Sequence, residues 1–112
     1  MRIAIAAPGP DSDGEIGRRG ARAVCYLVFD ETATLREVIQ NPFQDFDHAV
    51  GVHVADLLAD KSVDIVAAAH LGSGFTSALD KRRVRYAEYQ GVIAEVAKQL
   101  AARFGPHSGD VA

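Results

Sequence analysis

A chain of 112 residues, 48% of them apolar, has the length of one domain and enough hydrophobic material for a single core. Its 12 basic and 15 acidic side chains leave a formal net charge of -3, which argues against a global attraction to nucleic acid or to an anionic membrane. A single cysteine excludes an internal disulfide framework and an all-protein four-thiolate metal site; with no apolar run near the roughly 18 residues of a bilayer span, the expected setting is the cytoplasm.

The first seven residues (MRIAIAA) begin as an alternating apolar strand that Pro8, Gly9 and Pro10 stop. Residues 9–20 (GPDSDGEIGRRG) are polar and glycine-rich, which predicts an exposed, mobile loop, and loops of this length inside a domain are often functional. The end of the loop is locally basic, with Arg18, Arg19 and Arg22 crowded into five positions. Residues 23–30 (AVCYLVFD) read as a strand covered on both faces, with Cys25, Leu27 and Phe29 on one of them. After a polar turn, residues 35–39 (LREVI) return as a shorter antiparallel partner that Asn41 and Pro42 end. Residues 43–50 form a loop and 51–61 (GVHVADLLADK) a helix, with Val50, Val54, Leu57 and Leu58 on one face.

Residues 63–74 (VDIVAAAHLGSG) are the stretch that the rest presents. Small and β-branched residues suit a strand buried on both faces; it runs into His70, and Gly72 and Gly74 permit a sharp turn into a helix over 75–82. Residues 84–88 (VRYAE) predict a last strand. In 92–104 (VIAEVAKQLAARF), Val92, Val96, Leu100 and Phe104 share a helical face while Glu95, Lys98, Gln99 and Arg103 point outwards. Residues 105–112 contain Pro106 and little apolar content, which predicts a flexible tail. The chain is therefore expected to form one α/β domain over 1–104. Its right-handed crossovers lay helices on a mainly parallel five-stranded sheet that includes an antiparallel hairpin.

Catalytic patterns are missing. A nuclease needs carboxylates gathered around divalent ions, yet the first strand has none and Asp64 stands at the wrong end of its strand. No Walker sequence follows a strand, and HLGSG lacks the spacing of a dinucleotide fingerprint. A nucleophilic Ser73 has no assignable base or oxyanion hole. His48 and His53 have no cysteines at zinc-like spacing, and Asp56 is placed to pair with His53 across one helical turn. The chain is read as a non-enzyme.

The opening MRIAIAA, the GARAVCYLVFD strand after a polar loop, the NP after the hairpin, GVHVADLLADKSVDIVAAAHLG and the closing VRYAEYQG together resemble the dinitrogenase iron-molybdenum cofactor biosynthesis family. That family includes NifX-type carriers, the C-terminal part of NifB and the orange-protein group associated with a molybdenum-copper sulfide cluster. The resemblance spans most of residues 1–103. It implies a ribonuclease-H-like fold and non-covalent carrying or storage of a metal-sulfide cluster, either Mo-Cu sulfide or an FeMo-cofactor precursor, with donor or recipient proteins as partners. The family commonly has a histidine followed by Phe-Gly-Arg-Ala in the loop before the second strand. This chain has Arg18-Arg19-Gly20-Ala21-Arg22-Ala23 there, so arginines stand in place of the imidazole.

That departure favours binding by charge. A thiomolybdate-type cluster brings its own sulfides and net negative charge, so it needs cations, backbone N–H groups and an apolar wall rather than a set of thiolates. The candidate donors are Arg18, Arg19, Arg22, His70 and the turn Gly72, Ser73 and Gly74; Phe43, Phe46 and Phe75 are candidates for the wall. Direct metal ligation would fall to His70, His53 or Cys25. Each has an ordinary alternative: loop arginines are often plain solvated surface, Cys25 suits core packing, and His70 suits structural hydrogen bonding. The competing reading of the whole chain is a metal-free protein-interaction module.

Overall fold

The structure, a computed structural model, describes residues 1–104; the expected tail, 105–112, lies outside the described residues. All five side chains of β1 (Ile3–Ala7) are buried, because this strand lies mid-sheet with helices over both faces. It pairs antiparallel with β2 (Cys25–Phe29), which pairs antiparallel with β3 (Leu35–Gln40). On its other side β1 runs parallel to β4 (Ile65–Ala68), and β4 runs parallel to β5 (Arg85–Glu88). The order is β3-β2-β1-β4-β5. Only β2 opposes the other strands, so the expected mainly parallel, ribonuclease-H-like sheet with its hairpin is the one observed.

Period-two alternation sorts the sheet's side chains into two layers. Ala4, Ala6, Tyr26, Val28, Val66 and Ala68 face α1 (Val50–Asp60) and α2 (Ser73–Lys81). Ile3, Ile5, Cys25, Leu27, Ile65 and Ala67 face α3 (Ile93–Phe104). The apolar face of α3 is centred on Ile93, Val96, Ala97, Leu100 and Ala101. Val92, expected on that face, precedes the helix and is exposed, because its backbone pairs with Glu15 instead.

Loop 9–20 is where the structure departs most from expectation. Rather than moving freely, its second half is built into the sheet. β1 and β4 pair only from Ile3–Ile65 to Ile5–Ala67. Beyond that point they part, and the loop backbone fills the gap: Gly17 N–H donates to the Ala6 carbonyl, Ala69 N–H to Gly17, and Gly20 N–H to His70. Ile16 is buried among the α3-side residues. Backbone groups exposed by two diverging strands must find partners, and this loop supplies them.

The β2-β3 hairpin turn is held by one carboxylate. Asp30 Oδ1 accepts the Thr32 hydroxyl at 2.6 Å and the Thr32 and Thr34 N–H groups, while Oδ2 accepts Arg36 Nε at 2.7 Å. The Thr32 hydroxyl, then the Thr34 N–H, hold this carboxyl well below the usual carboxylate range. A depressed folded pKa gives stability that is complete above the unfolded value, near pH 4, and is lost as pH falls through the folded value. Urea midpoints measured from pH 6 to pH 2 should therefore fall less steeply in Asp30→Asn than in the parent chain. Parallel curves would remove Asp30 as a source of the acid sensitivity.

Candidate functional site

The parted ends of β1 and β4 open onto a cavity of about 420 Å³ on the α1-α2 side. Three segments line it: Arg19, Gly20, Ala21 and Arg22 of the loop; His70, Gly72, Gly74 and Phe75 after β4; and residues 49–52 at the start of α1. In open α/β sheets, crevices outside the carboxyl ends of the strands are the usual binding places.

Arg19 reaches the cavity because its backbone pairs alongside His70 as an added, parallel stretch of sheet. Tyr26 anchors the same loop from below, its buried hydroxyl donating to the Gly20 carbonyl. Burial in the apolar layer pushes that phenol far above its ordinary pKa, so it remains a donor at any physiological pH. Gly20 allows the approach, since a β-carbon there would stand 2.7 Å from Leu71 Cδ2 and 2.9 Å from a Phe75 ring carbon. Arg22 is steadied by Nη1 donating to the Gln44 carbonyl at 2.9 Å. Among the described residues, neither Arg18, Arg19 nor Arg22 forms an ion pair with a carboxylate.

His70 is 73% exposed at the side chain, with Nδ1 3.6 Å from Glu88 Oε2. The same carboxylate oxygen accepts the Leu71 N–H at 2.9 Å. Two helix starts adjoin the cavity, and neither has a side-chain cap or an acidic residue in its first turn. At α2 the N–H groups of Ser73, Gly74 and Phe75 have no acceptor among the described residues. Cations and free N–H groups thus border the space, and among the described residues no carboxylate lines it; Glu88 pairs with His70 at its edge.

Of the residues singled out from sequence, Arg19, Arg22, His70, Gly72, Gly74 and Phe75 come together here. Arg18 does not line this cavity. It lines a smaller one, about 220 Å³, across the loop with Pro8 and Val24, which Arg19 and Arg22 also border. Ser73 lies outside the lining, its carbonyl accepting the Thr76 hydroxyl. Phe43 and Phe46 are not the wall. Phe43 stacks on His53 with ring centroids 4.9 Å apart, and Phe46 meets both rings edge-on, which braces the first turn of α1. The apolar wall is Ala21, Val50, Val52 and Phe75.

The three candidate metal ligands do not converge. His53 is in that aromatic stack, and Asp56, expected beside it, instead accepts Arg82 Nε at 2.6 Å. Cys25 is buried in the opposite, α3-side layer, where burial raises its thiol pKa. Among the described residues no group of three or more His, Cys, Asp or Glu side chains is arranged to hold a bare metal ion. The cavity suits an anion that carries its own ligands, rather than a naked cation.

Sequence reasoning missed residues 49–52. Ala49 takes up a left-handed conformation, φ 58°, ahead of α1, which composition does not signal. Gly51 was the available signal, because a glycine in a helical pattern costs helix stability, and here it is the close approach to the Phe75 backbone that requires it.

Fold and cavity define a ribonuclease-H-like α/β domain with a cationic crevice at its switch point. The chain belongs to the dinitrogenase iron-molybdenum cofactor family, whose sequence model matches residues 1–103. It is similar to the apo form of the orange protein from Desulfovibrio gigas, with 25% identity and a TM-score of 0.82 over 93% of this chain and 88% of that one. It is also similar to a protein from Thermotoga described as a candidate NifB protein of the DUF35 family, with 25% identity and a TM-score of 0.74 over 93% of this chain and 89% of that one. No curated protein matches the chain. Among the described residues no helix is long and apolar enough to cross a membrane.

Proposed function

We propose that this protein is a non-catalytic carrier or store for an anionic molybdenum-containing metal-sulfide cluster, bound non-covalently in the cavity between the arginine loop and the two helix starts. One observation carries the reading: Arg19 and Arg22, without carboxylate partners among the described residues, border a space that also meets uncapped backbone N–H groups but no cation-binding set. Sulfide ligands satisfy the metals, the guanidinium groups and N–H donors face the sulfides, and Val50, Val52 and Phe75 exclude water from one side. Mo-Cu sulfide and an iron-molybdenum precursor both meet these requirements. Val52 and Val24, each exposed near one of the two cavities, offer apolar surface to a donor or recipient protein.

The folded chain mixed with tetrathiomolybdate and copper(I) should keep charge-transfer colour through gel filtration, with molybdenum stoichiometric to protein by elemental analysis. Colourless protein after that treatment, and after parallel incubation with an iron-molybdenum-sulfide precursor, would overturn the carrier reading and leave the interaction module.

A further inference from the structure

We propose that Gly72 and Gly74 are specificity-determining residues. On this reading they keep the wall of the cavity bare, so that a polynuclear cargo can lie directly against the backbone of the first turn of α2. The inference rests on the proposed carrier function, but its observations are separate ones.

Glycine at these two positions has no explanation within the fold. Gly72 has φ -70° and ψ 158°, a conformation open to any residue, and Gly74 lies in an ordinary helical turn. Packing does not require them either. A β-carbon at Gly72 or at Gly74 meets nothing within 4 Å, whereas one at Gly20 or Gly51 would strike neighbours at 2.7 to 2.9 Å. The site therefore contains two kinds of glycine. Gly20 and Gly51 let protein parts approach each other; Gly72 and Gly74 border open space beside the cavity they line.

Both choices also weaken the helix. Serine, threonine, aspartate or asparagine at position 72 would cap α2, which has no side-chain cap, and alanine at 74 has the better helix propensity. A chain selected for stability alone would fill these positions. Leaving them bare keeps the Ser73, Gly74 and Phe75 N–H groups within reach of a broad, sulfide-covered face. A methyl or hydroxymethyl group would hold such a face away and, as serine, would compete for the same N–H groups. A single tetrahedral thiometallate can settle against Arg19 and Arg22 alone, so it should be less affected than a polynuclear cluster.

The test uses Gly72→Ser and Gly74→Ala in the full chain, with Gln99→Ala as control because Gln99 is exposed on α3, on the other side of the sheet from the cavity. Melting temperature and affinity are measured together, the latter by titration with tetrathiomolybdate alone and with copper(I). Gly72→Ser and Gly74→Ala should melt at or above the parent temperature yet bind the copper-bridged product at least tenfold more weakly. Their affinity for tetrathiomolybdate alone should change less, and Gln99→Ala should match the parent throughout. Parent-like affinity for the copper-bridged product in both variants would overturn the inference while leaving the carrier reading intact. A lower melting temperature in both would overturn it as well, by showing the glycines to be structural. A parent chain that takes up no cluster would overturn both readings.

Discussion

Changing Arg18, Arg19 and Arg22 together to alanine is expected to leave the fold in place and to weaken cluster binding by on the order of 100-fold. The three side chains belong to a loop held by its backbone, through Gly17 and Gly20, and by the Tyr26 hydroxyl. Truncation therefore removes charge without removing the loop's anchors; among the described residues, the only side-chain bond lost is that of Arg22 to the Gln44 carbonyl. Hydrogen bonds to charged groups contribute about 1.5–3 kcal/mol each, so losing Arg19 and Arg22 from one anion site corresponds to about two decades of affinity or more. Arg18→Ala alone should do much less, since Arg18 lines only the smaller cavity. Parent affinity should also fall as salt rises from about 0.05 to 0.5 M, because exposed charges are screened, and the triple variant should lose most of that slope. Equilibrium titration of the colour at two ionic strengths reads both effects. Undiminished uptake by a folded triple variant would remove the arginine loop from the site.

The strands and helices were legible because their periods are written in the side chains. Alternation placed Cys25, Leu27 and Phe29 on one face, and the buried run at residues 65–68 marked a central strand. The basic residues and His70 could be picked out by chemistry alone. Illegible was whatever depends on backbone partners. Residues 9–20 look like free loop by composition, but the gap between the diverging ends of β1 and β4 turns Gly17 and Gly20 into sheet extensions. The aromatic wall failed for a related reason: Phe43 and Phe46 lie near the site in sequence, but His53 offered them a closer partner, and the wall passed to Val50 and Val52. Arg18 and Arg19, adjacent in sequence, line different sets of cavities, a division that the register of the Arg19-His70 pairing fixes.

Gly51→Val should be the most disruptive single change at the site, through the fold rather than through charge. Gly51 lies in the first turn of α1, where a β-carbon would stand 2.9 Å from Phe75 Cα, 3.0 Å from Phe75 N and 3.3 Å from the Gly74 carbonyl carbon. These are backbone atoms of α2, so no rotamer change relieves the contact and the two helix starts must separate. Overpacking of this kind costs about 1–3 kcal/mol, and valine, with two further methyl groups, should fall at the upper end. The better helix propensity of a side chain over glycine offsets less than about 1 kcal/mol of that. For a domain of this size the net loss corresponds to a fall in melting temperature of roughly 5–15 °C. Separation would also move Val50 and Val52 away from Phe75, so the variant should bind cluster more weakly even at temperatures where it is fully folded. Gly51→Ala is the graded control, expected to lie between the parent and valine on both measures. Thermal melts alongside the colour titration give the order; a Gly51→Val chain as stable as the parent would show that the close approach of α1 and α2 does not set the shape of the cavity.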